Sequence, residues 1–136
     1  MTATELAERY SAVWNEPDPG ARRRAIEAIW TEDALALLQP PLEMIATADE
    51  LGVALSLRVR GHDELAARVT RAYEQFVAPD ENVFRARPDA QQLDDVVKWG
   101  WELVPAGGDE ILGGGLTVVK VDRDGRITHD YTFVDP

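Results

Sequence analysis

Leu116-Thr117-Val118-Val119-Lys120 runs into Val121-Asp122-Arg123-Asp124-Gly125-Arg126-Ile127 and on to Tyr131-Thr132-Phe133-Val134. An apolar strand, an acidic turn with glycine and a second apolar strand read as a hairpin closing a sheet. Working back from it, Pro105-Ala106-Gly107-Gly108 separates a strand Leu93 to Val104 from a strand Ile111 to Val121. An earlier strand runs Asn82 to Arg87, and Pro88-Asp89 breaks it. The last part of the chain is therefore a meander of strands.

The first part is mostly helical. Thr2 and Glu5 have capping-box spacing, and Leu6, Tyr10, Val13 and Trp14 share one helix face. Asp18-Pro19 reads as the cap and first turn of a second helix, with Ile26, Ile29 and Trp30 on its buried side. Leu35 to Leu38 is a short buried strand stopped by Pro40-Pro41, and Leu42 to Gly52 suits a short helix. Leu55, Leu57 and Val59 alternate as a half-buried strand. Leu65, Val69, Ala72, Tyr73 and Phe76 make the longest helical stripe, ended by Pro79. Helices first and strands last predict an α+β fold with helices on one face of an antiparallel sheet.

Composition narrows the function. The chain has 136 residues, the size of one domain (1–136), and a formal net charge of −11. So negative a surface repels phosphate backbones and anionic lipid, which excludes nucleic acid and membrane as expected partners. Arg22-Arg23-Arg24 reads as a solvated helix face. No cysteine is present, so disulfides, zinc–thiolate sites and thiol catalysis are excluded. The N-terminus shows no signal-peptide pattern, which gives a cytoplasmic expectation. His62 and His129 are far apart and give no ligand spacing, so neither metal nor cofactor is expected. Asp122-Arg123-Asp124-Gly125 lacks the later ligands of a calcium loop. Gly113-Gly114-Gly115 is no phosphate loop and reads as a bulge or bend in a curved sheet.

Three segments carry a family resemblance. Leu6-Ala7-Glu8-Arg9-Tyr10, leading to Ala25 through Ala34, resembles the opening helix pair of the SnoaL-like (polyketide cyclase-like) branch of the nuclear transport factor 2-like superfamily. Arg60-Gly61-His62-Asp63-Glu64-Leu65 resembles that family's third-helix start, and Val121 to Ile127 its hairpin. The resemblance covers nearly the whole chain and implies a cone: a curved antiparallel sheet wrapping the N-terminal and long third helices around a pocket. It also implies a small apolar molecule as partner. Many relatives pair through the outer sheet face, and the two-sided apolar content of the last strands points to a homodimer here.

Strand alternation puts Val97, Trp99, Trp101 and Leu103 on one face, away from Lys98, Gly100 and Glu102. A hairpin apex at Pro105–Gly108 sets Trp99 opposite Thr117, with Val119 and Gly115 on the same side. Trp14, Trp99, Trp101, Thr117, Val119 and Thr132 are the expected ligand wall. The tryptophans have a second reading as plain core or dimer face. On the last strand the resemblance turns Asp130, Thr132 and Val134 inward. Asp130, with Tyr10, is the candidate acid–base pair; the other reading of Asp130 is a solvated rim carboxylate.

Specific chemistries of the family fit poorly. A ketosteroid-isomerase-like site finds its tyrosine at Tyr10, but Leu38 stands at the base position and Thr117 at the acid position. A limonene-epoxide-hydrolase-like site would need an aspartate where Thr132 stands and an Arg-x-Asp in the Leu93–Val104 strand. A scytalone-dehydratase-like site needs two inward histidines. The expectation is a pocket protein of unassigned reaction, with cofactor-free acid–base chemistry on an apolar carbonyl or polyketide-like compound. The alternative is a non-catalytic ligand-binding or dimerisation module.

Overall fold

The computed structural model describes residues 1–136. Helix α1, Ala3–Asn15, opens on the capping box: Glu5 N–H donates to Thr2 Oγ1 at 3.1 Å and Thr2 N–H to the Glu5 carboxylate at 3.4 Å. Helix α2, Pro19–Ile29, is capped by Asp18, which accepts the Ala21 N–H at 2.7 Å. Trp30 does not extend α2 but begins strand β1, Trp30–Leu38, which is longer than the Leu35–Leu38 run expected. The side chain is inward under either conformation, so its burial period could not tell helix from strand. Polar Thr31-Glu32-Asp33 hid the strand's first half.

Helix α3, Leu42–Glu50, precedes strand β2, Leu57–Arg60, and helix α4, Gly61–Ala72, which runs into a π-helical turn, Tyr73–Val77. The expected long third helix is thus the fourth in chain order. Gly61, at φ 81°, makes the abrupt strand-to-helix turn, and a Cβ there would meet the Glu32 carbonyl oxygen at 3.2 Å. The strands that follow are β3 (Asn82–Ala86), β4 (Gln91–Leu93), β5 (Val96–Pro105), β6 (Gly113–Val121) and β7 (Ile127–Val134). The expected Leu93–Val104 strand is therefore two: Leu93 ends β4, and Asp94-Asp95 folds the chain back so that Leu93 pairs with Val96. Asp94 adopts φ 52°, which aspartate tolerates better than most residues. Ile111 lies outside β6 and is exposed.

The strands form one curved, unclosed sheet in the order β2-β1-β7-β6-β5-β3, with β4 beside β5. All pairs are antiparallel except β1 with β7, which is parallel, so the sheet is not the purely antiparallel one expected. These two strands are joined by most of the chain, so no hairpin constrains their direction. The hairpin register is the one expected, with Trp99 opposite Thr117. That register runs unbroken through Gly113–Gly115, so the glycines do not mark a bulge. The irregularity between β6 and β7 falls at Lys120/Val121 instead.

The core lies between the sheet and α1, α2 and α4. It joins Leu6, Tyr10 and Val13 to Ile26, Trp30, Leu65, Val69, Val97, Trp99, Val119 and Ile127. Arg22 corrects the reading of Arg22-Arg23-Arg24 as a solvated face: it is 3% exposed. Its guanidinium donates to the Glu16 carbonyl at 2.7 and 3.0 Å and to Thr70 Oγ1 at 2.9 Å, and lies over the Tyr73 ring. No helix is long and apolar enough to cross a membrane.

Candidate functional site

The inner face of the sheet opens beyond the core into a cavity of about 950 Å³. Alternation and register decide its floor. Asp130 on β7 stands between Ala36 of β1 and Val119 of β6; Thr132 stands between Leu38 and Thr117. Helix α1 crosses above them, one turn carrying Tyr10 and the next Trp14. The walls are mostly apolar, among them Leu38, Leu57, Phe76, Phe84 and Leu103.

Asp130 is 2% exposed. Its Oδ2 accepts the Trp30 indole N–H at 3.2 Å, and Thr132 Oγ1 donates to its Oδ1 at 3.4 Å. The Tyr10 hydroxyl lies 3.5 Å from Thr132 Oγ1, so Thr132 stands between the phenol and the carboxylate. At these lengths the hydroxyl contacts are loose, and they leave the carboxylate incompletely held. Burial is the main influence on its titration and raises the Asp130 pKa to about 6, against the opposing influence of the nearby Tyr10 hydroxyl and of the hydrogen bonds from Trp30 and Thr132. Burial, reinforced by the Asp130 charge, also pushes Tyr10 well above the usual phenol value, so it stays a hydrogen-bond donor. A buried base beside a protonated phenol can accept a proton from carbon and support the oxyanion that forms.

Of the residues expected at the site, Tyr10, Trp14, Trp101, Thr117, Asp130 and Thr132 border the cavity. Trp99 and Val119 do not; they are 1% and 0% exposed and pack behind the floor. Trp99 meets the Tyr10 ring edge-on, centroids 5.0 Å apart, and so backs the phenol. Its place nearer the closed end of the same strand face explains the difference from Trp101. The solvated-rim reading of Asp130 does not hold, because the carboxylate is buried under Tyr10 and Trp30.

Trp101 depends on Gly115 opposite it: a Cβ there would stand 2.8 Å from the indole ring and collide with the Phe133 carbonyl oxygen. The indole N–H donates to that carbonyl at 3.2 Å. Two residues escaped sequence reading. Trp30, 100 positions from Asp130, gave no local signal of its contact. Arg68 of α4 borders the cavity, and its only signal was its place one turn after Leu65 on the helix. His62 serves structure: its Nε2–H donates to the Trp30 carbonyl at 2.9 Å. No group of three or more His, Cys, Asp or Glu side chains converges to hold a metal.

The fold and cavity define a class of protein. A SnoaL-like family protein from Agrobacterium tumefaciens, given a provisional isomerase assignment, superposes with a TM-score of 0.77 at 26% identity, covering 100% of both chains. A SnoaL-like protein of unknown function from Burkholderia thailandensis gives 0.62 at 17% identity, over 100% of this chain and 99% of that one. A nuclear transport factor 2-like protein of unknown function from an Exiguobacterium species gives 0.65 at 14% identity, over 98% of each. No family sequence profile matches the chain, and no curated protein sequence does. Over its full length the chain is similar in fold to SnoaL-like and nuclear transport factor 2-like proteins.

Proposed function

We propose that the protein binds a small apolar carbonyl compound in this cavity and moves a proton on it without a cofactor. The observation that carries the reading is Asp130, a carboxylate 2% exposed on the floor of a mostly apolar cavity. With its pKa raised to about 6 by burial, it is ionised at neutral pH and more basic than an ordinary carboxylate. It takes a proton from the carbon beside the carbonyl, and the C–H electron pair passes to the carbonyl oxygen. Tyr10 donates its O–H to the oxyanion so formed. Where the compound has a carbon–carbon double bond β,γ to the carbonyl, the Asp130 carboxylic acid then returns the proton to the γ-carbon, the oxyanion re-forms the carbonyl and the double bond moves to the α,β position, which is an isomerisation. The provisional isomerase assignment of the Agrobacterium relative agrees with this class. Trp14 and Trp101 act as the ligand wall, Thr117 and Thr132 as the polar floor, and Trp99 and Val119 support them from behind.

The test is proton exchange at carbon. A cyclic aryl ketone such as α-tetralone, incubated with the protein in D₂O, should gain deuterium beside its carbonyl, followed by proton NMR. Asp130→Asn should reduce the rate by about 10²-fold or more and Tyr10→Phe by a smaller factor. Equal exchange by wild type and Asp130→Asn would remove Asp130 as the base. Binding of the ketone without exchange would leave a ligand-binding protein.

A further inference from the structure

We propose that the ligand carries an anionic carboxylate end, held by Arg68. This rests on the reading of the cavity as a small-molecule pocket and adds the class of ligand. Arg68 lies on α4 between Leu65 and Ala72, which are buried and border the same cavity. It is half-buried, with its guanidinium 5.7 Å from the centre of the Trp14 ring.

The other arginines that are not fully exposed to solvent and lie in the sheet or beneath the helices have partners. Arg22 donates to Glu16 and Thr70, and Arg85 and Arg87 reach Glu102. Arg68 has no hydrogen-bond or ion-pair partner, although the chain carries 25 acidic residues. Burial lowers its pKa, and no carboxylate is among the groups that offset that effect. A partly desolvated guanidinium without an anion is unfavourable, and its planar fork of donors matches a carboxylate.

The remaining wall is apolar at Leu38, Leu57, Phe76 and Leu103. The cavity therefore offers an apolar bed, one half-buried cation and, on its floor, one buried base. That arrangement fits an apolar acid whose carboxylate sets the orientation of its reacting carbon. Arg58 also borders the cavity and serves as the control cation.

The experiment compares matched carboxylates and primary amides by titration calorimetry: 2-naphthoate with 2-naphthamide, and 4-phenylbutyrate with 4-phenylbutyramide. Wild type should bind the carboxylates at least about tenfold more tightly. Arg68→Gln should erase that preference while keeping amide binding, which also shows that the cavity is intact. Arg58→Gln should leave the preference in place. Equal binding of acid and amide by wild type, or a preference that survives Arg68→Gln, would overturn the assignment and leave the apolar-pocket reading standing. Loss of the preference in Arg58→Gln alone overturns it too. Failure of every acid and amide to bind would remove the pocket reading and this inference together.

Discussion

At the scale of the residue, Asp130 carries most of the consequences. Ionising it in the folded protein is costly because desolvation outweighs the hydrogen bonds from Trp30 and Thr132 and the influence of the nearby Tyr10 hydroxyl, so its folded pKa of about 6 lies above the ordinary 3.8. The folded state then binds the proton more tightly than the unfolded chain does. The resulting stability is fully present below the unfolded value and is lost as pH rises through about 6, a change on the order of 2–3 kcal/mol. Asp130→Asn keeps the shape and the acceptor for Trp30 but cannot ionise. Urea unfolding should show wild type losing that stability between about pH 4 and pH 8 relative to the variant. A constant difference between the two across that range would show that Asp130 titrates normally. Alternation along β7 was enough to put Asp130 and Thr132 on one face. Its burial depended on α1 and Trp30, which no local pattern could place.

At the scale of the element, strands β5 and β6 show how a side chain is aimed by its neighbour's lack of one. Trp101 lies against Gly115, and the backbone there also approaches the Phe133 carbonyl. The three consecutive glycines were visible in the sequence, but their purpose was not. Close approach and a bulge leave the same trace, and only the unbroken register separates them. Gly115→Ala should destabilise the protein by about 1–3 kcal/mol through overpacking. The same change should displace the Trp101 ring, read as a change in near-ultraviolet circular dichroism. A variant with wild-type stability and spectrum would mean that Trp101 does not rest on β6. Strand boundaries were legible where turn residues punctuated them, as at Pro105–Gly108. They were not legible at Trp30, where helix and strand bury the same side chain.

At the scale of the whole molecule, the outer sheet face is an exposed apolar surface. Leu116 and Phe133 pair across β6 and β7 and are 38% and 49% exposed. Val118 and Tyr131 continue that face as the next pair. We propose that a second copy of the chain covers it, since an apolar sheet face left to solvent is unfavourable. Sedimentation velocity at micromolar concentration should show a dimer. Leu116→Glu should shift it toward monomer without loss of helix or sheet signal. A wild-type monomer under those conditions would reject the pairing. The formal charge of −11 on each copy works against pairing, so raising salt should strengthen the dimer slightly.

The sequence by itself determined most of the elements, their order, the hairpin register and which residues of β7 share a face, because these follow from local periodicity, caps and turns; that the Asp130 face points inward was implied by the family resemblance. It also pointed to the fold, since three weak motifs in fixed order are jointly specific. What only the tertiary structure decided is where each inward face ends as core and where it ends as cavity. Trp99 and Trp101 are two residues apart on one strand face, yet one is sealed beneath Tyr10 and the other borders the cavity. The same holds for the parallel pairing of β1 with β7, the burial of Arg22 and the unpaired state of Arg68. Each depends on segments far apart in the chain, and desolvation is a property of that assembled surrounding and not of the residue.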